Sequence, residues 1–212
     1  RWGWFPSVSL GWRISEEPFL KKVEWLNSLK LRASWGLTGN NDIANYSFMN
    51  KLSSANYSFG SNNGTVTAGL TNVTPVIANR DITWEQSSEY NYGFDLSVLN
   101  NRINLSAEYY YSETIQMLYE QTALSITGFQ NFWNNIGKVA NKGFEFELRT
   151  LNLNKKNFQW ESSFNLSLNR NELLDLAGEV RQINYGERQE GYLAEVGHPS
   201  IQYYLYKTIG VW

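Results

Sequence analysis

The stretch Glu89-Tyr90-Asn91-Tyr92-Gly93-Phe94-Asp95-Leu96-Ser97-Val98-Leu99-Asn100-Asn101-Arg102-Ile103-Asn104-Leu105-Ser106-Ala107-Glu108-Tyr109-Tyr110-Tyr111 decides the fold. From Tyr90 to Val98 every second residue is apolar, and Glu89, Asn91, Gly93, Asp95 and Ser97 fall between. After Leu99-Asn100-Asn101-Arg102 the alternation resumes, with Ile103, Leu105, Ala107, Tyr109 and Tyr111 opposing Asn104, Ser106, Glu108 and Tyr110. A period of two means strands with one apolar and one polar face. The short Asn-rich link between them is a turn, so the two strands are antiparallel neighbours.

The same pattern extends in both directions. Trp2, Trp4, Val8, Leu10, Trp12 and Ile14 share one parity, against Ser7, Ser9, Gly11 and Arg13. Leu29, Leu31, Ala33, Trp35 and Leu37 oppose Lys30, Arg32, Ser34 and Gly36. Phe144, Phe146 and Leu148 oppose Gly143, Glu145, Glu147 and Arg149. Phe158, Trp160, Phe164, Leu166 and Leu168 oppose Gln159, Glu161, Ser163, Asn165, Ser167 and Asn169. A seventh segment, Ile201 to Val211, is less regular because Lys207 falls on the apolar parity. Most of these runs are about 8 to 12 residues long, near the roughly 9–11 that a tilted strand needs to cross a bilayer core.

Connection lengths give the strands a direction. Leu99 to Arg102 and Leu151 to Asn157 are short links; Thr38 to Gln86, Ser112 to Asn141 and Arg170 to Pro199 are long. Outer-membrane barrels alternate short periplasmic turns with long outer loops. The second strand then runs outward, and Ser15 to Ser28 lies at the periplasmic end, where Ser15-Glu16-Glu17-Pro18 is placed to cap a short helical turn. The predicted fold class is therefore all-β: an antiparallel transmembrane β-barrel segment, an up-and-down meander with long outer loops.

Composition narrows the function. In 212 residues there are 9 Trp, 13 Tyr and 11 Phe, and the formal net charge is -2. No cluster of Lys and Arg is present to neutralise phosphates, so no nucleic-acid partner is expected. With zero Cys there are no disulfides and no thiolate metal sites. No apolar run is long enough for a membrane helix, which needs about 20 residues. Barrel strands hide their hydrophobicity by alternation, so a mean hydropathy of -0.44 is compatible with a barrel. The start at Arg1 carries no signal peptide, so an exported protein would have its N-terminus further upstream.

A soluble antiparallel sandwich also alternates. The aromatics argue for the membrane instead. Trp4, Trp35, Tyr90, Tyr92, Tyr109 and Tyr111 fall near the outer strand ends, and Trp12 and Trp160 near the inner ends. Two aromatic belts are expected at the two membrane interfaces.

Several stretches resemble one family. Arg1-Trp2-Gly3-Trp4-Phe5-Pro6-Ser7-Val8-Ser9-Leu10-Gly11-Trp12-Arg13-Ile14-Ser15-Glu16-Glu17-Pro18-Phe19 is similar to a signature of SusC/RagA-type TonB-dependent outer-membrane transporters. Leu29-Lys30-Leu31-Arg32-Ala33-Ser34-Trp35-Gly36-Leu37-Thr38-Gly39-Asn40-Asn41 resembles the family's next run. Ile82-Thr83-Trp84-Glu85, Gly93-Phe94-Asp95, Asn100-Asn101-Arg102 and Asn135-Ile136-Gly137-Lys138-Val139-Ala140-Asn141-Lys142-Gly143-Phe144-Glu145 follow in order. The resemblance implies a large barrel of about 22 strands with a plugged lumen, of which seven strands are roughly a third. It also implies import of oligosaccharides or peptides, a SusD-like surface lipoprotein as lid, and energy from the TonB complex. Residues 1–212 would then be a partial outer-membrane β-barrel domain, without the plug and the N-terminal TonB-contacting segment, in the cell outer membrane. A passive porin and a soluble carbohydrate-binding β domain are the alternatives.

Candidate residues follow from the two faces and the loops. Arg32, Glu89, Asp95, Glu145, Glu147 and Arg149 are expected to line the lumen, and the opposite face to meet outer-membrane lipid. Glu145, Glu147 and Glu161 share the polar parity, and paired carboxylates can hydrolyse glycosides at the right separation. Lining a wet lumen beside Arg149 is the reading favoured here, and no enzyme activity, metal or cofactor is expected. His198, the single histidine, reads as a loop residue; Asn40-Asn41-Asp42 reads as a turn rather than a calcium loop. Six Asn-x-Ser/Thr triplets are discounted as glycosylation sites: Asn104 and Asn165 lie within strands, and an Asn- and Ser-rich composition produces such triplets by chance. Aromatics in the long loops are the candidate substrate contacts: Tyr57 and Phe59 (with Tyr46 and Phe48) in the first, Phe129, Phe132 and Trp133 in the second. Flat rings stack on sugars or contact peptide side chains.

Overall fold

The structure, a computed structural model, describes residues 2–42, 45–46, 48–49, 52–59, 65–72, 76–129, 131–176, 182–188, 190–205 and 209–210. In chain order the strands are β1 (Ser7–Arg13), β2 (Leu26–Asn40), β3 (Leu52–Phe59), β4 (Thr65–Asn72), β5 (Val76–Ile77), β6 (Glu85–Val98), β7 (Ile103–Ile115), β8 (Leu118–Thr122), β9 (Asn131–Asn135), β10 (Lys138–Lys155), β11 (Phe158–Asp175), β12 (Gln182–Arg188), β13 (Glu190–Glu195) and β14 (Gln202–Tyr204). Among the described residues no helix is long and apolar enough to cross a membrane; this leaves strand-based crossing open.

Six strands form one sheet in the order β1-β2-β6-β7-β10-β11. Neighbours in the sheet follow one another along the chain once the long connections are passed over, so the wall is the expected meander. Among the described residues it does not close on itself. The register places alternate residues in rows across the strands. Phe144 stands opposite Tyr109 on one side and Leu168 on the other, and Tyr92 stands opposite Tyr109. Leu148, Leu105 and Leu96 form a parallel row, and Val8, Leu10 and Trp12 pair with Trp35, Ala33 and Leu31. Ring contacts within this face, Tyr90 with Tyr111 at 6.5 Å and Phe146 with Phe164 at 6.2 Å, confirm that the apolar parity is continuous across strands.

This apolar face is open rather than covered. Leu10 is 72% and Leu168 57% exposed, and Phe144, Tyr92, Phe164 and Trp160 are exposed as well. A sandwich would bury these positions against a second sheet.

The strands outrun the sequence-based limits. β10 and β11 are 18 residues each and extend past their alternating apolar runs, β10 from Phe144 back to Lys138 and β11 from Leu168 on to Asp175. The link expected over Leu151 to Asn157 is mostly strand: the pairing continues, with a bulge between Leu151 and Leu153, to Lys155 opposite Phe158. Pairing, not hydrophobicity, sets the strand end. Arg102 stabilises the bulge by donating from Nε to the Leu151 carbonyl (3.2 Å) and from Nη2 to the Asn152 carbonyl (2.7 Å). The β6–β7 turn carries positive φ at Leu99, Asn100 and Asn101. Asn tolerates that region; a leucine there is strained.

One expectation is corrected. Within Ile201 to Val211, expected as a seventh wall strand, the described residues hold one short strand, Gln202–Tyr204, and it pairs with β13 instead of β11. The tyrosine pair Tyr192–Tyr203, 5.5 Å apart, holds that alternative partner. Ser15 lies inside a 3-10 turn, Ile14–Glu16, closed by the Glu17 N–H donating to the Ile14 carbonyl; the expected helical turn follows, the Glu17 carbonyl accepting the Leu20 and Lys21 N–H groups.

A second compact unit comprises Asn40–Glu85 and Gln116–Ile136. It holds the β3–β4 hairpin and a three-stranded sheet, β5-β9-β8, in which the short β5–β9 pairing is parallel. Asn135 ties this unit together. Its amide donates to the Thr83 and Gln116 carbonyls, both at 2.9 Å, and its oxygen accepts the Thr83 N–H at 2.6 Å. Asn40 accepts the Asp42 N–H at 3.0 Å, so Asn40-Asn41-Asp42 is the expected turn.

Candidate functional site

The polar face of the wall is a network centred on Arg32. Nη1 of Arg32 lies 3.1 Å from Glu108 Oε2, and Nη2 donates to Asp95 Oδ1 at 3.3 Å and to Ser106 Oγ at 3.4 Å. Nε sits 3.1 Å from Asp95 Oδ2, in ion-pair rather than hydrogen-bond geometry. Ser106 in turn donates to Asp95 at 2.9 Å. The side chains are roughly a third exposed, so screening keeps each contact modest, about 0–1 kcal/mol. Together they join side chains of β2, β6 and β7.

Glycine makes the crossing possible. Between β2 and β7 lies β6, and a Cβ on Gly93 would sit 3.2 Å from Arg32 Nη2 and 3.0 Å from the Ala107 carbonyl. Gly143 plays a similar part on β10: the Tyr110 ring, opposite it in register, occupies the space of its missing side chain.

The other residues expected on this face are on it. Glu145 stands opposite Glu108 and Ser167, and Glu147 opposite Ser106 and Asn165. Arg149 Nε pairs with Glu147 Oε1 at 2.5 Å. Glu89 accepts from Asn91 Nδ2 at 3.0 Å. A hollow of about 360 Å³ is lined by Asp95, Ser97, Asn104, Ser106, Glu147 and Arg149 among others. Glu161, opposite Leu151, shares the face, but Gln159 Nε2 donates to it. Glu89, Glu147 and Glu161 are engaged by neighbours on an open sheet. Among the described residues no group of three or more metal-ligating side chains occurs.

Of the loop aromatics, Phe132 and Trp133 are not brought onto one surface. Phe132 and Trp133 are consecutive in β9, so they point to opposite faces of its sheet. Both are half-buried, as is Phe129. Trp133 pairs in register with Glu120, and its carbonyl accepts from Asn79 Nδ2 at 2.9 Å. The backbones of Tyr57 and Phe59 belong to β3, opposite Thr67 and Thr65; their side chains lie outside what the structure describes. His198 is in the expected loop, its Nδ1 3.6 Å from Glu195 Oε2.

Sequence reasoning missed a charged group at one end of the apolar face. Lys138 Nζ pairs with Glu113 at 2.8 Å, Tyr111 donates to Glu113 at 2.9 Å, and Lys142 lies 3.6 Å from Glu172. These residues carry the apolar parity past the last apolar residue. Continuing the parity of Phe144 back to Lys138 would have found them.

An antiparallel meander, charged on one face and open and apolar on the other, is the architecture of a β-barrel wall segment. The model of the family described as "TonB dependent receptor-like, beta-barrel" matches residues 1–192, and the chain belongs to that family. It is 39% identical over 211 residues to TonB-dependent receptor P39 of Formosa agariphila, covering 99% of this chain and 19% of that protein. It is 31% identical over 226 residues to TonB-dependent receptor SusC of Bacteroides thetaiotaomicron, covering 99% of this chain and 22% of that protein. The RagAB peptide importer in its 'closed-closed' state superposes with a TM-score of 0.80 at 28% identity, over 95% of this chain and 21% of that one. The chain thus spans about a fifth of the length of the relatives it matches. The SusC/RagA resemblance of the motifs is shown by these relatives.

Proposed function

We propose that this chain is a section of the barrel wall of an outer-membrane importer that takes up oligosaccharides or peptides. The carrying observation is the two-faced sheet. Between the row of Tyr111 and Lys142 and the row of Leu153 and Trp160, β10 runs about 35 Å at roughly 3.4 Å per residue. At a tilt near 45° that is about 25 Å of height, the thickness of a barrel's apolar band. On this reading the apolar face meets outer-membrane lipid. Arg32, Glu89, Asp95, Glu145, Glu147 and Arg149 line the lumen and face a plug carried elsewhere in the full-length protein.

The likeness to a peptide importer favours peptides, and the family favours energy coupling through TonB. A SusD-like lipoprotein is the proposed lid, and Trp133, Phe132, Phe129, Tyr57 and Phe59 are the proposed loop contacts to cargo. Deleting the full-length gene in its source organism and measuring uptake of labelled oligopeptides and oligosaccharides tests this. Loss of one uptake, with the same loss on removing TonB, is the expected result. Undiminished uptake of both overturns it, and uptake that persists without TonB marks a passive porin.

A further inference from the structure

One pair of residues on the apolar face sits where like charges should not. Lys142 on β10 stands directly opposite Arg170 on β11. Two like charges in register on neighbouring strands repel. Glu172 lies 3.6 Å from Lys142 and offsets it in part. Among the described residues the Arg170 side chain has no hydrogen-bond or ion-pair partner, on a strand, β11, that is the edge of the sheet in this chain.

Position sharpens the anomaly. Both cations project from the face that carries Phe144, Phe146 and Leu148 one to three rows below. Lys142 also stands opposite Tyr111, which stands opposite Tyr90, and these two rings are in contact. The cations therefore share the row in which the aromatic belt ends the apolar band. One row below Lys142 the face dips into an apolar hollow of about 510 Å³ that runs sideways from Phe144 on β10 across Tyr109, Ala107 and Tyr92 to Leu31 on β2 and Leu10 on β1. The dip arises because small residues, Ala33 and Ala107, lie among large ones.

We propose that Lys142 and Arg170 together hold the phosphate of an outer-leaflet membrane lipid, with an acyl chain of that lipid lying in the hollow below. A phosphate between the two cations turns their repulsion into a shared attraction, and charge-assisted bonds to phosphate are the strong kind. Long cationic side chains at the edge of an apolar band reach up to the headgroup level and keep their stems in the apolar layer. The strand direction puts this row at the end from which the long connections leave, the outer leaflet. This inference rests on the reading that the apolar face meets lipid.

The test uses the full-length protein in phosphatidylcholine nanodiscs containing a minority of lipid A, with retained lipid A counted by native mass spectrometry. Lys142→Gln/Arg170→Gln should retain on the order of 10-fold less lipid A, from about the effect expected for two cations near a membrane surface. Lys142→Arg/Arg170→Lys, which keeps both charges, should retain it. Lys155→Gln/Lys156→Gln, at the opposite strand end, should not change retention. Equal retention by the double glutamine variant overturns the proposal. So does loss of lipid A from the native protein on adding millimolar inorganic phosphate, which marks a free-anion site. A spin label at Leu148→Cys separates the underlying reading. A label in water means the face does not meet lipid; a label in lipid with unchanged lipid A retention sinks the phosphate site alone.

Discussion

Arg32 on β2 reaches Glu108 on β7 across the whole width of β6, Nη1 to Oε2 at 3.1 Å, and Gly93 is the gap it passes over. A basic residue and an acidic one from strands that are not neighbours are joined because the strand between them carries no side chain at that point.

Gly93→Val should therefore act at a distance. The new side chain meets both the guanidinium and the Ala107 carbonyl. Overpacking of this kind costs about 1–3 kcal/mol. Arg32→Met, which breaks partly exposed ion pairs, should cost only about 1 kcal/mol or less. Thermal unfolding of the full-length protein in detergent should rank Gly93→Val below Arg32→Met; the reverse order would show that the ion pairs dominate.

Arg102→Ala removes both donors from the carbonyls at the β10 bulge. Loss should be about 1–2 kcal/mol, because hydrogen bonds to a charged group are stronger than neutral ones. Hydrogen exchange should quicken locally, at residues 151–160 and at the 99–102 turn. Protection unchanged at both places would refute a clamping role.

Asn135→Asp tests a donor against an acceptor at one position. The carboxylate can still accept the Thr83 N–H but cannot donate to the Thr83 and Gln116 carbonyls. It should destabilise the second unit about as much as Asn135→Ala, on the order of 1 kcal/mol. Limited proteolysis of the 40–85 and 116–136 segments is the readout. An aspartate variant as resistant as the native protein would show that the two donated bonds contribute little.

Trp133→Ala and Phe132→Ala should differ, since β9 sends the two rings to opposite faces. We expect Trp133→Ala to weaken cargo binding by the full transporter without loss of folding, and Phe132→Ala, whose ring is on the other face of β9, to weaken it by a different amount. Calorimetric titration with affinity unchanged in Trp133→Ala would remove Trp133 from the cargo site.

Much of the wall was legible because a period of two is a local property. Tyr90 to Tyr111 declares two strands, a turn and two faces, whatever surrounds them, and the lengths of the links order the strands. The polar parity named Arg32, Asp95, Glu145 and Glu147, but not what each touches. That Arg32 reaches Glu108 depends on sheet order, which places β6 between them, and on the register that sets Gly93 beneath the guanidinium.

The alternation of apolar and polar residues by itself determined the strands, their faces and the wall, since each follows from side chains a few positions apart. Where the strands stop, tertiary structure decided. Backbone pairing carries β10 and β11 past their apolar runs, so Lys142 comes opposite Arg170 at the edge of the apolar band. It also draws Gln202–Tyr204 to β13 instead of the wall. Those are choices between partners far apart in the chain, and a hydrogen-bonded neighbour, unlike a hydrophobic period, leaves no mark in the residues before they meet.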